Sequence, residues 1–164
     1  MLSNLFNTLI NNKIINLILI TSLPITELRG GIPYGISSNL PLILVFLICV
    51  VTNIIIGIIV FLCFKYLIRM ITYFPFLERY YNRFIVKTQH KINNLVQKYG
   101  TVGLSLFIAI PLPGSGVYTG AIGANFLGIR FKDFIIADIV GVIIAATIVT
   151  LISTGFLNLW YILS

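Results

Sequence analysis

The sequence carries little charge and few of the side chains that perform chemistry. Only 9% of its 164 residues are charged, whereas soluble domains carry roughly a quarter. Four residues are acidic, one is a histidine and two are cysteines, while 59% are hydrophobic. This balance excludes an ordinary soluble domain and indicates one integral membrane domain spanning 1–164.

The scarcity of reactive side chains also argues against an enzyme. The single histidine, His90, lies in a basic segment, so no Ser/His/Asp or Cys/His arrangement can be assembled. No glycine-rich phosphate loop ending in Lys-Ser or Lys-Thr is present, which argues against ATP-driven transport. Cys49 and Cys63 would lie about 21 Å apart on one helix, which is too far for a disulfide. We therefore expect no catalytic residue, no metal site and no cofactor.

Positive charge is concentrated in the middle of the chain. The formal net charge is +7, and seven of the eleven basic residues fall within 65–98, where Glu78 is the one acid. Such a block in an apolar protein indicates a cytoplasmic, lipid-facing loop rather than a nucleic-acid site. An amphipathic helix is predicted within 65–100, where it either binds the anionic leaflet or is a solvated helix packed on the rest of the protein. The prediction rests on basic residues at every fourth position, namely Arg79, Arg83, Lys87 and Lys91.

Four apolar segments flank this basic loop. Segments 41–64 and 134–157 are long enough to cross a hydrocarbon core of ~30 Å, so we expect two transmembrane helices. Segments 14–40 and 102–128 are as long, but each is interrupted near its centre. Their arms of about ten residues would make ~15 Å of helix, which is half a bilayer.

Each interruption consists of prolines and glycines. Proline lacks an amide N–H and glycine tolerates unusual backbone angles, so both favour a break in a helix. In a bilayer such a break persists only where protein or a water-filled cavity covers its polar backbone. The residues concerned are Pro24, Gly30, Gly31, Pro33 and Gly35 in the first segment, and Pro111, Pro113, Gly114, Gly116 and Gly120 in the second.

Charge placement favours a re-entrant hairpin over a full crossing in 102–128. Arg130 and Lys132 follow this segment and would lie on the side opposite the basic loop if it crossed. The positive-inside rule favours the arrangement that keeps both residues on the cytoplasmic side. Applied to the first half, the same geometry predicts an all-α inverted repeat, in which each half is a re-entrant hairpin followed by one transmembrane helix.

Residue spacing supports this repeat. The glycine pair Gly31-x-x-x-Gly35 recurs 85 positions later, and the same offset carries Asn53 onto Asp138, the most polar residue of each crossing helix. Inverted repeats whose broken helices meet at mid-depth are typical of secondary transporters.

Charged residues inside the apolar segments are the candidates for function. An unpaired charge at the centre of a membrane helix costs ~2.5–3.5 kcal/mol on insertion scales, so such residues usually face a polar pathway. Glu27 and Arg29 form either a structural ion pair or a site in which Glu27 carries a proton or a cation. In the second case Arg29 shifts the pKa of that carboxyl group or binds an anionic headgroup. Asp138 either belongs to the pathway or neutralises Arg130 or Lys132.

Amide and hydroxyl side chains complete the candidate site. Asn53 either lines the pathway or hydrogen-bonds a neighbouring helix. At the second break, helix ends would present free carbonyl or N–H groups to an ion, and Ser115 and Thr119 would add hydroxyl ligands. A tight helical turn that is satisfied internally is the alternative.

Three motifs of the chain form a recognisable set, namely Glu27-x-Arg29-Gly30-Gly31-Ile32-Pro33-x-Gly35, Tyr99-Gly100-x-x-Gly103 and Ala109-Ile110-Pro111-Leu112-Pro113-Gly114-Ser115-Gly116-x-x-Thr119-Gly120. Together they resemble the small multidrug export protein family. The resemblance covers about 18–151 and implies a membrane exporter. The layout is also similar to the DedA/VTT superfamily, which implies facing re-entrant hairpins and includes lipid-carrier translocases and scramblases.

Three functions follow as hypotheses. The first is a secondary transporter of small amphipathic or lipid-like substrates, with proton coupling as an option. The second is a DedA-like lipid-carrier translocase or scramblase, and the third is a membrane scaffold that transports nothing. We expect a multi-pass protein of the cell membrane with the basic loop in the cytoplasm. Its expected partners are membrane lipids and the substrate. A second copy of the chain is also expected, because two transmembrane helices and two hairpins enclose a pathway only in part.

Overall fold

The structure, a computed structural model, describes residues 2–71, 100–111 and 115–163, and the side chains within 12–66, 100–111 and 115–155. These residues form six helices and no strand, so the predicted all-α class is confirmed for the described part of the chain. The helices are α1 (Leu2–Thr21), α2 (Glu27–Ser37), α3 (Leu42–Ile71), α4 (Gly100–Ala109), α5 (Val117–Phe126) and α6 (Phe131–Leu163).

Two of these helices are long and apolar enough to cross a membrane. They contain the stretches Leu42–Tyr66 in α3 and Phe131–Gly155 in α6, of 25 residues each. At ~1.5 Å per residue each stretch is about 37 Å long, which exceeds the thickness of a hydrocarbon core of ~30 Å. The sequence predicts these two helices over 41–64 and 134–157, and both observed helices are longer than the predicted ranges.

Part of the sequence-based prediction concerns residues outside those that the structure describes. The amphipathic helix and its contact with anionic lipid therefore stay predictions. The residues concerned are Arg79, Arg83, Lys87 and Lys91 of the amphipathic helix, and Pro113 and Gly114 of the second break.

The chain forms two compact units, of which unit 1 consists of Met1–Asn53 and Ile143–Ser164. Within unit 1, α1 and α2 pack against each other, and Lys13 Nζ donates a hydrogen bond to the carbonyl of Ser38 at 2.9 Å. That carbonyl lies just beyond the last residue of α2, where helical carbonyls lack intrahelical partners. The buried apolar side chains of this unit include Leu17, Leu28, Ile32, Val45 and Cys49.

Two glycines allow α2 to approach its neighbours in unit 1. A methyl group at Gly31 would collide with Thr21 Oγ1 of α1 and lie 3.1 Å from Cys49 Sγ of α3. A methyl group at Gly35 would lie 2.5 Å and 2.6 Å from the two methyl carbons of Val45. Close helix contact through small residues four positions apart is a common packing mode in membrane proteins.

Unit 2 consists of Ile54–Val142 and contains α4, α5, the second part of α3 and the first part of α6. The ring of Phe61 on α3 stacks on that of Phe134 on α6, with 4.5 Å between the centroids. Asn125 of α5 donates from its side-chain nitrogen to the carbonyl of Phe61 at 3.0 Å and to that of Ala121 at 2.9 Å. These contacts join α3, α5 and α6 at one end of the unit.

The first break is narrower than the sequence predicts. Only residues 22–26 separate α1 from α2, and Pro24 lies there. Gly120 likewise lies inside α5, where a methyl group would be 2.7 Å from Ile108 Cγ1 of α4. Where glycine lies at a helix contact, close packing explains it better than a break. The predicted break residues found inside α2 are Gly30, Gly31, Pro33 and Gly35.

Candidate functional site

Glu27 begins the second helix of unit 1 and is buried. It is the first residue of α2, its exposed fraction is 4%, and its φ of +46° lies in the left-handed region that residues other than glycine rarely adopt. Its N–H donates to the carbonyl of Leu23 at 2.9 Å, which closes the turn between α1 and α2. A carboxylate at a helix N-terminus is stabilised by the helix dipole. The backbone geometry therefore places an acidic group inside the unit at the start of a helix.

Arg29 supplies a positive charge beside this carboxyl group. It lies in the first turn of α2, is half-buried, and interacts electrostatically with Glu27. The structure thus brings together the two charged residues that the sequence singles out in the first segment. A structural pair and a transport site both fit this arrangement.

Threonine hydroxyls satisfy carbonyl groups where α1 ends. Thr26 Oγ1 donates to the carbonyl of Ile20 at 2.5 Å, across the break. Thr21 Oγ1 donates to the carbonyl of Leu17 at 2.7 Å and lies 3.5 Å from Cys49 Sγ. The carbonyl of Ile20 is among the last four of α1, which lack an intrahelical partner, and the bond from Thr26 holds the segment that leads into Glu27.

Asp138 is the corresponding buried acid of unit 2. It lies on α6 with no exposed surface. A methyl group at Gly57 of α3 would lie 2.6 Å and 2.8 Å from its two carboxyl oxygens, and 2.6 Å from Cγ1 of Val117. The carboxyl group therefore lies where α3 and α6 meet the first residue of α5.

The second break is closed in the same manner as the first. Ser115 Oγ donates to the carbonyl of Ile110 at 2.6 Å, just after the end of α4. Gly116 precedes α5 with φ +128° and ψ −166°, a conformation essentially confined to glycine. Pro111 follows α4, and Thr119 lies half-buried in the first turn of α5. In each unit, then, a hydroxyl group bonds across the break, that of Thr26 in unit 1 and that of Ser115 in unit 2.

Asn53 is buried at the middle of α3. Its exposed fraction is zero, and within the described residues its side-chain oxygen and nitrogen have no hydrogen-bond partner. A buried amide in this condition is energetically costly. It lies one helical turn from Gly57, the glycine that faces Asp138.

Arg130 pairs with Asp133 rather than with Asp138. Arg130 Nε donates to Asp133 Oδ2 at 2.7 Å, and this hydrogen bond raises the pKa of the guanidinium group. The alternative in which Asp138 reaches back to neutralise Arg130 does not describe this structure. The nearer acid takes that role, because Asp133 lies three residues along the chain in the first turn of α6.

Sequence reasoning missed Gly57 and Val117, which surround the carboxyl group of Asp138. Gly57 is the one glycine in α3, and it follows Asn53 by four residues. That spacing was a usable signal, because residues four apart share a helix face. The contact of Val117 with this site depends on tertiary packing and leaves no pattern in the sequence.

Fold and sites together define a membrane protein whose described residues are all helical, with two membrane-capable helices and two buried acids, Glu27 and Asp138. The chain belongs to the family described as "Putative small multi-drug export protein", whose model matches residues 27–148 and so includes both Glu27 and Asp138. The resemblance seen in the sequence is thereby confirmed. No curated protein and no solved structure matches the chain significantly.

Proposed function

We propose that this protein is a secondary transporter that exports small amphipathic cations in exchange for protons. The observation that carries the proposal is the pair of buried carboxyl groups, with Glu27 4% exposed and Asp138 not exposed at all. Ionisable side chains within membrane segments usually serve a transport pathway, because their insertion is costly. The family description is consistent with export.

Competition for one carboxylate provides a mechanism of exchange. A proton and a cationic substrate each neutralise a buried carboxylate, and both cannot do so at once. The protonated and substrate-bound forms carry the same net charge but differ in size and shape, so they favour different conformations of the protein. Arg29 lies beside Glu27 and weakens the attraction of any second cation, which makes release of the substrate easier.

We further propose that the two halves form an inverted repeat of re-entrant hairpins, at 14–40 and 102–128, in one membrane domain with its central basic loop in the cytoplasm. This arrangement brings buried helix ends to mid-depth from both faces, as alternating access requires. The similar closure of the two breaks, by Thr26 in unit 1 and by Ser115 in unit 2, supports it.

Cysteine labelling in sealed vesicles tests this topology. Val102 and Lys132 are both exposed and lie on either side of the second hairpin. In a background without Cys49 and Cys63, single cysteines at these two positions are expected to react with an impermeant maleimide from the same side. Reaction from opposite sides would show that the segment crosses the membrane and would rule out the inverted repeat.

Transport into liposomes tests the function, with ethidium as the amphipathic cation. Vesicles with an acidic interior are expected to accumulate ethidium through the wild-type protein. Glu27→Gln is expected to lower this rate by about tenfold or more, since a loss of ~1.4 kcal/mol in barrier stabilisation already has that effect. Asp133→Asn is the matched control, because Asp133 is an acid paired on the surface with Arg130, and it should retain the dependence on the pH gradient.

Two other outcomes would contradict the proposal. Exchange of a fluorescent lipid that ignores the pH gradient, survives Glu27→Gln and fails in Arg29→Ala would indicate a scramblase or lipid-carrier translocase. Absence of both ethidium transport and lipid exchange, in protein whose helical content is intact, would favour a membrane scaffold.

A further inference from the structure

A cavity of about 280 Å³ lies in unit 2, where the second part of α3 approaches the connection between α5 and α6. Its lining includes the aromatic rings of Phe61 and Phe131, the cationic side chains of Lys65 and Arg130, and Asn125. The ring centroids of Phe61 and Phe131 are 5.5 Å apart. The cavity therefore combines an apolar wall with two positive charges.

The charge of this cavity is unbalanced. Arg130 is held by Asp133 on the first turn of α6. Within the described residues, by contrast, no carboxylate is paired with Lys65, which lies exposed near the end of the apolar stretch of α3. An anion entering the cavity would meet Lys65 directly and would compete with Asp133 for the guanidinium group of Arg130.

The position of the cavity along the helices indicates what kind of anion it meets. Lys65 is the first charged residue along α3, and Arg130 directly precedes Phe131, the first residue of α6. The uncharged stretch of α3 therefore ends, and α6 begins, at this cavity. The ends of such stretches lie at the level of lipid headgroups, where basic pockets between helices bind anionic headgroups.

We propose that this cavity binds the phosphate of an anionic lipid headgroup, with Lys65 and Arg130 as its ligands. Arginine binds phosphate through paired N–H groups and lysine through its compact charge. A volume of about 280 Å³ accommodates a headgroup while leaving the acyl chains outside along the helices. The Arg130–Asp133 bond then acts as an internal competitor that sets the affinity.

Binding of short-chain lipids to the detergent-purified protein tests this proposal. Dihexanoyl phosphatidylglycerol is the anionic probe, dihexanoyl phosphatidylcholine carries a phosphate without net charge, and inorganic phosphate represents the free anion. Isothermal titration should detect saturable binding of phosphatidylglycerol. Lys65→Ala should weaken that binding by about tenfold, as expected for a hydrogen bond to a charged group, and Lys65→Arg should preserve it.

Two neighbouring residues provide matched controls. Lys132→Ala removes the same charge from an exposed position that does not line the cavity, and it should change the affinity by less than about twofold. Asp133→Asn frees Arg130 and should tighten binding several-fold. Equal losses of affinity in Lys65→Ala and Lys132→Ala would show that surface charge alone accounts for the binding, and this would overturn the proposal. Inorganic phosphate or phosphatidylcholine that binds as tightly as phosphatidylglycerol would overturn the assignment to an anionic headgroup.

Discussion

A Gly31→Val variant is expected to lose the packing of α2 against α1 and α3, with the free energy of unfolding falling by about 3 kcal/mol. The new side chain would occupy the space of Thr21 Oγ1 and approach Cys49 Sγ, and both neighbours are fully buried. Cys49 itself reports the outcome, because Cys63 is exposed and can be replaced by serine. Maleimide labelling of Cys49 in that background should accelerate strongly, and the apparent melting temperature in detergent should fall.

Gly155→Val serves as the control for this substitution. Gly155 lies on α6, and a methyl group added there would have no neighbouring atom within 4 Å in the described part of the structure. The same change in side chain should therefore leave Cys49 protected. If Gly31→Val kept the wild-type melting temperature and an unreactive Cys49, the close contact between α2 and α3 would be wrong.

The second large effect is expected at Gly57 in unit 2. A methyl group there would lie 2.6 Å from one carboxyl oxygen of Asp138 and 2.6 Å from Val117 Cγ1. Gly57→Ala should therefore displace the buried carboxyl group and lower the free energy of unfolding by about 2 kcal/mol. Thermal unfolding in detergent measures this loss, and ethidium transport should fall with it.

A double-mutant cycle identifies the cause of that loss. If the clash with the carboxyl group dominates, Gly57→Ala should cost about 1 kcal/mol less in an Asp138→Ala background than in the wild type. Strictly additive effects would show that Asp138 and Gly57 are not in contact. The cycle thus tests the placement of the acid independently of any transport assay.

The membrane-capable helices α3 and α6 were predictable because length and composition determine them. A mainly apolar stretch of 25 residues has few alternatives to a long helix, since every backbone polar group must be satisfied locally in lipid. The amphipathic pattern of the basic segment lies outside the described residues, so that helix stays a prediction.

The local conformation of the first break was less predictable. Proline and glycine correctly indicated an interruption, yet Gly31 and Gly35 lie within α2. Their function is close packing against Thr21, Cys49 and Val45, and nothing in the spacing of residues reveals which helix will lie opposite a glycine. Tertiary contacts override the weak local preference of glycine against helix.

The candidate acids were predictable, but their surroundings were not. A charge inside an apolar segment marks Glu27 and Asp138 without any structure. The left-handed backbone of Glu27 and the contact between Asp138 and Gly57, 81 residues apart in the chain, arise only when the helices pack. Charge patterning also allowed Asp138 to pair with Arg130, whereas the structure gives that role to Asp133.

The most direct test of proton exchange at Glu27 is the proton movement that a substrate gradient drives. Coupling between two ligands is reciprocal at equilibrium, so ethidium added outside pyranine-loaded proteoliposomes, with no initial pH difference, should drive protons out and raise the internal pH. The internal pH should rise with the wild-type protein and stay constant with Glu27→Gln. Ethidium entry without a pH change, or an equal rise in Glu27→Gln, would contradict proton exchange at Glu27.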